Sequence, residues 1–151
     1  VIEIGGPPCS CGKNGCIMAY ASGVGISRMA YDKIAAGAET LLKPLPDGRR
    51  ISGQAIAAAA NQGDPVAREI LQTAGYYAGV GVSLAIQILN PEAIVIGGGL
   101  TRIGPLVMAE VERGMREHTQ PEMLATTRLI PWQLGDDLGI VGAAAKAFAE
   151  T

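Results

Sequence analysis

The feature that most constrains the fold of this chain is a short loop that holds all three of its cysteines. Cys9, Cys11 and Cys16 lie within eight residues of one another, and Gly12 and Gly15 stand between the second cysteine and the third. Glycine readily adopts the positive φ angles that a tight backbone wrap requires, so this spacing indicates a loop that points several thiols at one place. Such convergence is typical of a structural zinc site, which takes four ligands, usually cysteine and histidine.

The chain offers fewer ligands than a closed zinc site uses. We predict Cys9, Cys11 and Cys16 as metal ligands, with the fourth either preceding Val1 or missing. One disulfide with a spare thiol, or three unrelated thiols, are the alternatives, but a C-x-C pair bridges poorly and an odd count suits a secreted framework badly. The only histidine, His118, lies far downstream and is interpreted as a solvated helix-end residue that the helix dipole stabilises.

Composition and charge narrow the functional classes. The 151 residues suit one domain, and 48% of them are hydrophobic while only 4% are aromatic, so aliphatic side chains and alanine must fill the core. The net charge of −2 comes without any basic run, which argues against nucleic-acid binding through this segment.

The sequence shows neither a recognisable export signal nor a segment typical of a membrane span. Residues 1–8 lack the basic head and apolar stretch of a signal peptide, and the long uncharged run between Glu69 and Glu92 contains polar residues and glycines that suit a buried helix. Clustered thiols without an export signal indicate the reducing cytoplasm.

The pattern of apolar residues and breakers predicts an α/β fold. We expect the end of a strand at 1–4, a helix at 17–36 that is interrupted near Ser22, a loop at 40–50, helices at 53–61 and 65–89, a strand at 93–96, a helix at 105–118, a strand at 127–132, and a last helix at 138–150 capped by Asp137. The first helix would end at Gly37, and Asp64-Pro65 is a strong start signal for the long helix.

Two groups of glycines would allow another helix or a ligand to approach the backbone closely. Gly75 and Gly79 lie one turn apart on the long helix, where they would let a neighbouring helix pack closely. Gly97, Gly98 and Gly99 follow the apolar run 93–96, which suits a parallel strand buried on both faces. Ligands bind at the carboxyl ends of strands in open α/β sheets, so these glycines could face a flat ring or a phosphate; a structural turn is the alternative.

Four stretches together resemble the ROK family (repressors, open reading frames and sugar kinases). They are the C-x-C-G-x-x-G-C motif at 9–16, the Y-A-S-G run at 20–23 just after it, the N-P-E-A-I-V-I-G-G-G run at 90–99 and the G-D-D-L-G-I-V-G-A-A run at 135–144. The resemblance implies part of the carboxy-terminal lobe of an actin-like ATPase (ribonuclease H-like) fold. It also implies a zinc loop at 5–16, a helical insertion at 17–63 and an α/β core at 64–151.

The same resemblance implies a function. It suggests a carboxy-terminal fragment of an ATP-dependent sugar kinase of the glucokinase type, acting on a hexose or an N-acetylhexosamine. Zinc would be structural, ATP and Mg²⁺ would serve the intact parent, and Gly97, Gly98 and Gly99 would contact the nucleotide. The family's phosphate loop and catalytic Asp are absent from this sequence, so we assign no catalytic residue and expect the isolated chain to be inactive. We also expect a homo-oligomer. A sugar-sensing lobe of a ROK regulator and a non-catalytic remnant are the alternatives.

Met18 departs from the family pattern. It stands where the family's G-C-x-E motif has a glutamate that resembles a ligand of sugar hydroxyls. A thioether cannot accept the strong hydrogen bonds of a carboxylate, so sugar recognition is altered or abandoned if this position faces the pocket. A core residue at the start of a helix is the other interpretation.

Overall fold

A computed structural model describes residues 1–99, 103–132 and 137–149 of the chain, and these residues form a mixed helix–strand fold. A single 3-10 turn at Ile17–Ala19 precedes α1 (Gly23–Ala35), α2 (Gly53–Asn61), α3 (Pro65–Leu89), β1 (Ala93–Ile96), α4 (Pro105–Glu117), α5 (Pro121–Thr126), β2 (Arg128–Pro131) and α6 (Leu138–Ala149). The α/β class is confirmed. The start of the 135–144 run and the last residue of the predicted final helix lie outside the described residues.

Short polar side chains begin the first three helices. Ser22 and Ser52 accept hydrogen bonds from backbone N–H groups of the first turns of α1 and α2. Asp64 does the same for α3, where its Oδ1 accepts from the Ala67 N–H at 2.9 Å. The start and end of α3 therefore agree with the prediction, and Asn90 closes the helix in a left-handed conformation with a φ of 42°.

The long helix α3 packs against α4 with backbone nearly touching backbone. A Cβ added to Gly75 would lie 2.6 Å from the carbonyl oxygen of Val107, and one added to Gly79 would lie 2.2 Å from that of Val111. On the opposite helix, a Cβ on Gly114 would lie 2.3 Å from the Tyr76 oxygen. The prediction that Gly75 and Gly79 serve close helix packing is confirmed.

The core lies among α1, α2, α3 and α4 and is made of aliphatic side chains and alanine, as the composition predicts. Its most deeply buried large members are Ile26, Ile56, Ile70, Val107 and Val111, each exposed by 2% or less. Burying each of these side chains contributes about 1.5–3 kcal/mol to stability. Most of the hydrophobic stabilisation of the described residues therefore comes from this helical layer.

The two strands form a parallel pair in which Ala93 lies opposite Arg128 and Ile96 lies opposite Pro131. Ile96 packs against the helical core, but Val95 on the other face is 60% exposed. The prediction that β1 is buried on both faces is therefore wrong, because among the described residues helices cover only one face of this sheet.

Two further differences come from local hydrogen bonding. The predicted strand at 1–4 is a bend and a turn, because the N–H groups of Ile2 and Glu3 both donate to the carbonyl of Gly15 rather than to a strand. The short helix α5 was not predicted, although Pro121 at its first position is a recognised start signal. No helix within the described ranges is long and apolar enough to cross a membrane.

Candidate metal centre and glycine loop

Backbone hydrogen bonds fold the cysteine segment into a closed loop. Pro8 and Asn14 form an antiparallel bridge, the Cys9 N–H donates to the Lys13 carbonyl at 2.8 Å, and the Gly12 N–H donates back to the Cys9 carbonyl at 3.0 Å. Gly12 has a φ of 83°, a conformation that side-chain-bearing residues rarely adopt. The glycine spacing therefore does what the sequence predicts, since it turns the chain back within four residues.

The loop brings its three thiols together. The Sγ atoms of Cys9, Cys11 and Cys16 all lie within 4.8 Å of one another, and those of Cys11 and Cys16 are 3.5 Å apart. None of the three is in a disulfide. Tetrahedral zinc with Zn–S bonds of 2.3 Å holds its sulfurs about 3.8 Å apart, so this triad fits three corners of such a site.

The thiols of Cys9 and Cys16 do not titrate alike. A hydrogen bond from the Cys11 backbone lowers the pKa of Cys9, whereas the side-chain hydrogen bond with Cys11 raises the pKa of Cys16. Cys9 therefore loses its proton before Cys16 does. Because metals bind thiolates rather than thiols, Cys9 is the more readily deprotonated of these two candidate ligands.

A second reason for glycine in the loop appears only in the structure. A Cβ on Gly15 would lie 1.7 Å from the carbonyl oxygen of Glu3, so the amino-terminal segment passes directly against the loop. The Tyr20 hydroxyl donates to the Glu3 carboxylate, and burial together with this contact raises the pKa of Tyr20. The Tyr20 ring stacks on Tyr77 of α3 at 3.8 Å between centroids.

These anchors were missed from the sequence. Arg28 of α1 adds another, since its guanidinium donates to the carbonyls of Pro8 and, at 3.1 Å, Ala19. Tyr20 belongs to the run that follows the cysteine motif, but nothing in the spacing of Tyr77 and Arg28 connects them to the cysteines. The packing of α1 and α3 decides which of their faces meets the loop.

Met18 lies on the 3-10 turn directly after Cys16 and is 56% exposed. Its interpretation as a core residue is therefore wrong, because the single turn points it outward before α1 begins. Its side chain lines a cavity of about 420 Å³ between α3 and β1, whose wall also includes Ile94, Ile96 and Gly97. The position where the family carries a glutamate thus faces an open, mostly apolar cavity.

The glycine loop follows β1 at its carboxyl end, as predicted. A Cβ on Gly97 would lie 2.0 Å from Cε3 of Trp132, so this glycine makes room for the indole. Gly98 has a φ of 96°, and a Cβ on Gly99 would meet nothing within 4 Å. Packing thus explains Gly97, backbone conformation explains Gly98, and Gly99 faces open space.

The predicted site residues fall into two groups. Gly97 and Met18 line the same cavity, whereas the part of its lining that the structure describes includes none of the three cysteines. His118 ends α4, as predicted, and lies outside the thiol cluster; its Nε2 is 2.8 Å from the Tyr76 hydroxyl and its carbonyl accepts from Gln87 at 3.0 Å.

Comparison with known proteins places this arrangement in a family. The family model described as ROK matches residues 1–150. The chain belongs to the ROK family. The resemblance seen in the sequence is confirmed, and the mixed helix–strand structure agrees with the folds of ROK kinases.

Individual relatives include enzymes and regulators. The glucokinase of Halalkalibacterium halodurans is 31% identical over 143 residues, which cover 94% of this chain and 43% of the relative. The xylose repressor of Bacillus spizizenii is 28% identical over 142 residues, 93% of this chain and 33% of the repressor.

Structural comparison also finds a ROK family enzyme similar to this chain. A ROK family glucokinase from Streptomyces griseus, crystallised with glucose and AMPPNP, aligns with a TM-score of 0.75 and 34% identity over 95% of this chain and 48% of the glucokinase. The chain spans less than half the length of these relatives.

Proposed function

We propose that this ROK-family chain forms the zinc-bearing and nucleotide-facing part of an ATP-dependent sugar kinase that acts on a hexose or an N-acetylhexosamine. The observation that carries the proposal is the cavity that Met18 and Gly97 share. It joins the end of the cysteine loop to the glycine loop at the carboxyl end of a parallel strand, where α/β folds bind ligands. The glucose and AMPPNP held by the Streptomyces griseus glucokinase support the same substrate class.

In this proposal Cys9, Cys11 and Cys16 hold zinc together with a fourth ligand from outside the triad. The metal would be structural: it fixes the loop that Glu3 and Tyr20 brace, and so the position of Met18 at the cavity wall. Elemental analysis of protein purified without added zinc should find about one zinc per chain. Cys11→Ser should abolish it, and Ser10→Ala in the same loop should not.

Gly97, Gly98 and Gly99 would lie against the adenosine of ATP. Gly97 seats Trp132 behind the loop, and the open surface at Gly99 leaves the backbone accessible to a flat ring. Mg²⁺ would arrive with the phosphates, whose charge it neutralises during transfer. We assign no catalytic residue to this chain, and we expect the 151-residue polypeptide by itself to transfer no phosphate.

A chimera tests the kinase assignment. This chain replaces the matching segment of the Streptomyces griseus glucokinase, and phosphorylation of glucose is measured for the chimera and for its Met18→Glu variant. We expect weak activity with Met18 and a kcat/KM at least about tenfold higher with glutamate, which restores a strong hydrogen bond to a sugar hydroxyl. Met108→Glu places the same charge elsewhere on the cavity wall and should restore nothing.

A second candidate function is the sugar-sensing part of a ROK regulator. The apolar Met18 at the cavity wall favours it, and repressors are among the relatives. A chimera that binds zinc and has the circular dichroism of the native glucokinase, yet stays inactive with either residue at position 18, would contradict the kinase proposal and favour the regulator.

We also propose that the protein self-associates and works in the cytoplasm. Val95 on the outer face of the sheet and Ile88 on α3 are 60% and 79% exposed, and such exposed apolar surface favours association. The three free thiols suit a reducing compartment. Size-exclusion chromatography showing a monomer at all concentrations would contradict the first of these proposals.

A further inference from the structure

A second cavity lies on the helical layer, away from the zinc loop and the glycine loop. It has a volume of about 620 Å³ and opens between α2 and the loop that precedes it, residues 41–52. Its floor is apolar, because Leu42, Ile51 and Ala59 are buried beneath it. The volume is within the usual range for small-molecule sites.

Two cations stand at the rim of this cavity. Lys43 and Arg50 are both exposed and both line it, and neither forms an ion pair within the part of the chain that the structure describes. The neighbouring Arg49 differs, since it pairs with Asp47 at 2.5 Å. Arg49 therefore neutralises Asp47, and the next residue, Arg50, lines the cavity without an ion-pair partner of its own in the described structure.

The surroundings of the cavity favour a negative ligand. None of the described residues that line it is an Asp or a Glu. The amino-terminal turn of α2 begins at its edge, where Ser52 caps the Ala55 N–H and the first turn carries no acidic residue. A helix start of this kind adds partial positive charge to that of the two side chains.

Besides Asp47, two acids line the adjoining depression, and neither forms an ion pair with Lys43 or Arg50 in the described structure. Glu39 lines that depression beside Lys43 but makes no ion pair with it in the described structure. The buried carboxylate of Asp64 is already occupied by Thr40 and the Leu41 N–H, at 2.6 and 2.5 Å. Lys43 thus remains available to an incoming anion.

We propose that this cavity binds a small amphiphilic anion of the medium-chain carboxylate type. Lys43 and Arg50 would hold the head group, and the apolar body would lie along Leu41, Leu45 and Ala58. The two cations favour a negatively charged head group. The aliphatic wall favours an apolar body, because a fully hydrated polar ligand would leave these leucines in water. This site is independent of the proposed kinase function.

Isothermal titration calorimetry of the purified 151-residue chain tests the proposal, with decanoate as the probe below its micelle concentration. We expect one decanoate per chain, and at least about tenfold weaker binding of uncharged decanol and cationic decylamine. Amide chemical shifts should change at Ala55 and Ala58, which face the cavity from α2.

Three variants distinguish decanoate binding in this cavity from a general effect of the protein's charge. Arg50→Glu should weaken decanoate by at least about tenfold through the head group, and Ala58→Leu should weaken it similarly by filling the cavity without changing charge. Arg68→Glu makes the same charge change on α3, outside this cavity, and should leave binding unaltered.

The contrary outcomes are distinct. Equal binding of decanoate, decanol and decylamine, or an equal loss in Arg68→Glu, would overturn the proposal. So would a dimer that Arg50→Glu and Ala58→Leu dissociate in the absence of decanoate binding, because the occupant would then be a second copy of the chain.

Discussion

The helical layer, made of α1 to α4, and the strand edge, made of β1 and β2, use similar apolar sequences with opposite results, and α6 behaves like the strand edge. Ile56 in α2 and Ile70 in α3 are exposed by 0% and 1%, whereas Val95 in β1 and Ile140 in α6 are exposed by 60% and 74%. All described side chains of α6 are exposed. Apolar sequence alone therefore does not create a core, because burial also needs a facing element that is equally apolar.

The comparison separates two roles within one chain. The helical layer realises its hydrophobic stabilisation internally, and so it can act as a rigid support for the cysteine loop that Tyr20 and Tyr77 anchor to α3. The strand edge keeps much of its apolar surface in contact with water and carries the glycine loop. We expect the former to respond strongly to substitution and the latter weakly.

The largest effect should come from the seam between α3 and α4. Gly79→Ala puts a Cβ 2.2 Å from a backbone oxygen that cannot move aside alone, so we expect the free energy of unfolding to fall by about 3 kcal/mol. Gly139→Ala on the exposed α6, where a Cβ meets nothing within 4 Å, should change it by less than about 1 kcal/mol, towards higher stability. Urea unfolding followed by circular dichroism measures both, and similar losses would contradict the comparison.

The next effect should come from Asp64, which begins α3 and is 3% exposed. Burial by itself raises the pKa of this carboxyl, but the hydrogen bonds from Thr40, Ala67 and Leu41 outweigh it and hold the pKa below the ordinary value of 3.8. Asp64→Asn should cost about 2 kcal/mol at neutral pH, since the amide cannot accept all of these bonds.

The lowered pKa of Asp64 determines the direction in which its contribution to stability changes with pH. A carboxyl whose pKa is lowered on folding stabilises the fold above its unfolded pKa, and that contribution is lost as the pH falls through the lower folded value. The difference between wild type and Asp64→Asn should therefore be constant above about pH 5 and shrink below pH 3.8. Asp47→Asn in the exposed loop should leave the unfolding curve at neutral pH unchanged, and a gap that widens in acid would contradict this account.

The smallest effect should come from the outer face of β1. Val95→Thr should change the unfolding free energy by less than about 0.5 kcal/mol, because the side chain is mostly in water. The same change at its neighbour, Ile96→Thr, should cost at least about 1 kcal/mol, since Ile96 packs against the helical core. If Val95→Thr also lowers self-association in sedimentation velocity, the outer face of β1 is the contact surface between copies of the chain. Equal losses of stability for Val95→Thr and Ile96→Thr would contradict the comparison, because they would show that the outer face of β1 is buried.

Local chemistry explains which parts of the fold could be predicted. The bounds of α2 and α3 follow from Ser52, from Asp64-Pro65 and from Asn90, all of which act on backbone groups within one turn. The convergence of the three thiols follows from glycine spacing in a loop of eight residues. The strand predicted at 1–4 was wrong because its hydrogen-bond partner, Gly15, belongs to the loop rather than to a sheet.

The candidate site was predictable only in part. The cysteines and the glycine loop carry their own signatures, but the exposure of Met18 and the Trp132 ring behind Gly97 depend on where separate elements meet. The anchors Tyr77 and Arg28 and the cationic rim of Lys43 and Arg50 have no short-range pattern. They arise from residues that are distant in the chain or scattered along a loop.

The sequence by itself determined the family, the helices and the thiol loop, because these rest on hydrogen bonds and backbone conformations that span only a few residues. Only the tertiary structure decided which apolar side chains are buried, how closely α3 and α4 approach, and which cavity Met18 and Gly97 share. Those outcomes depend on the steric fit of surfaces brought together from distant parts of the chain, and no single segment encodes them.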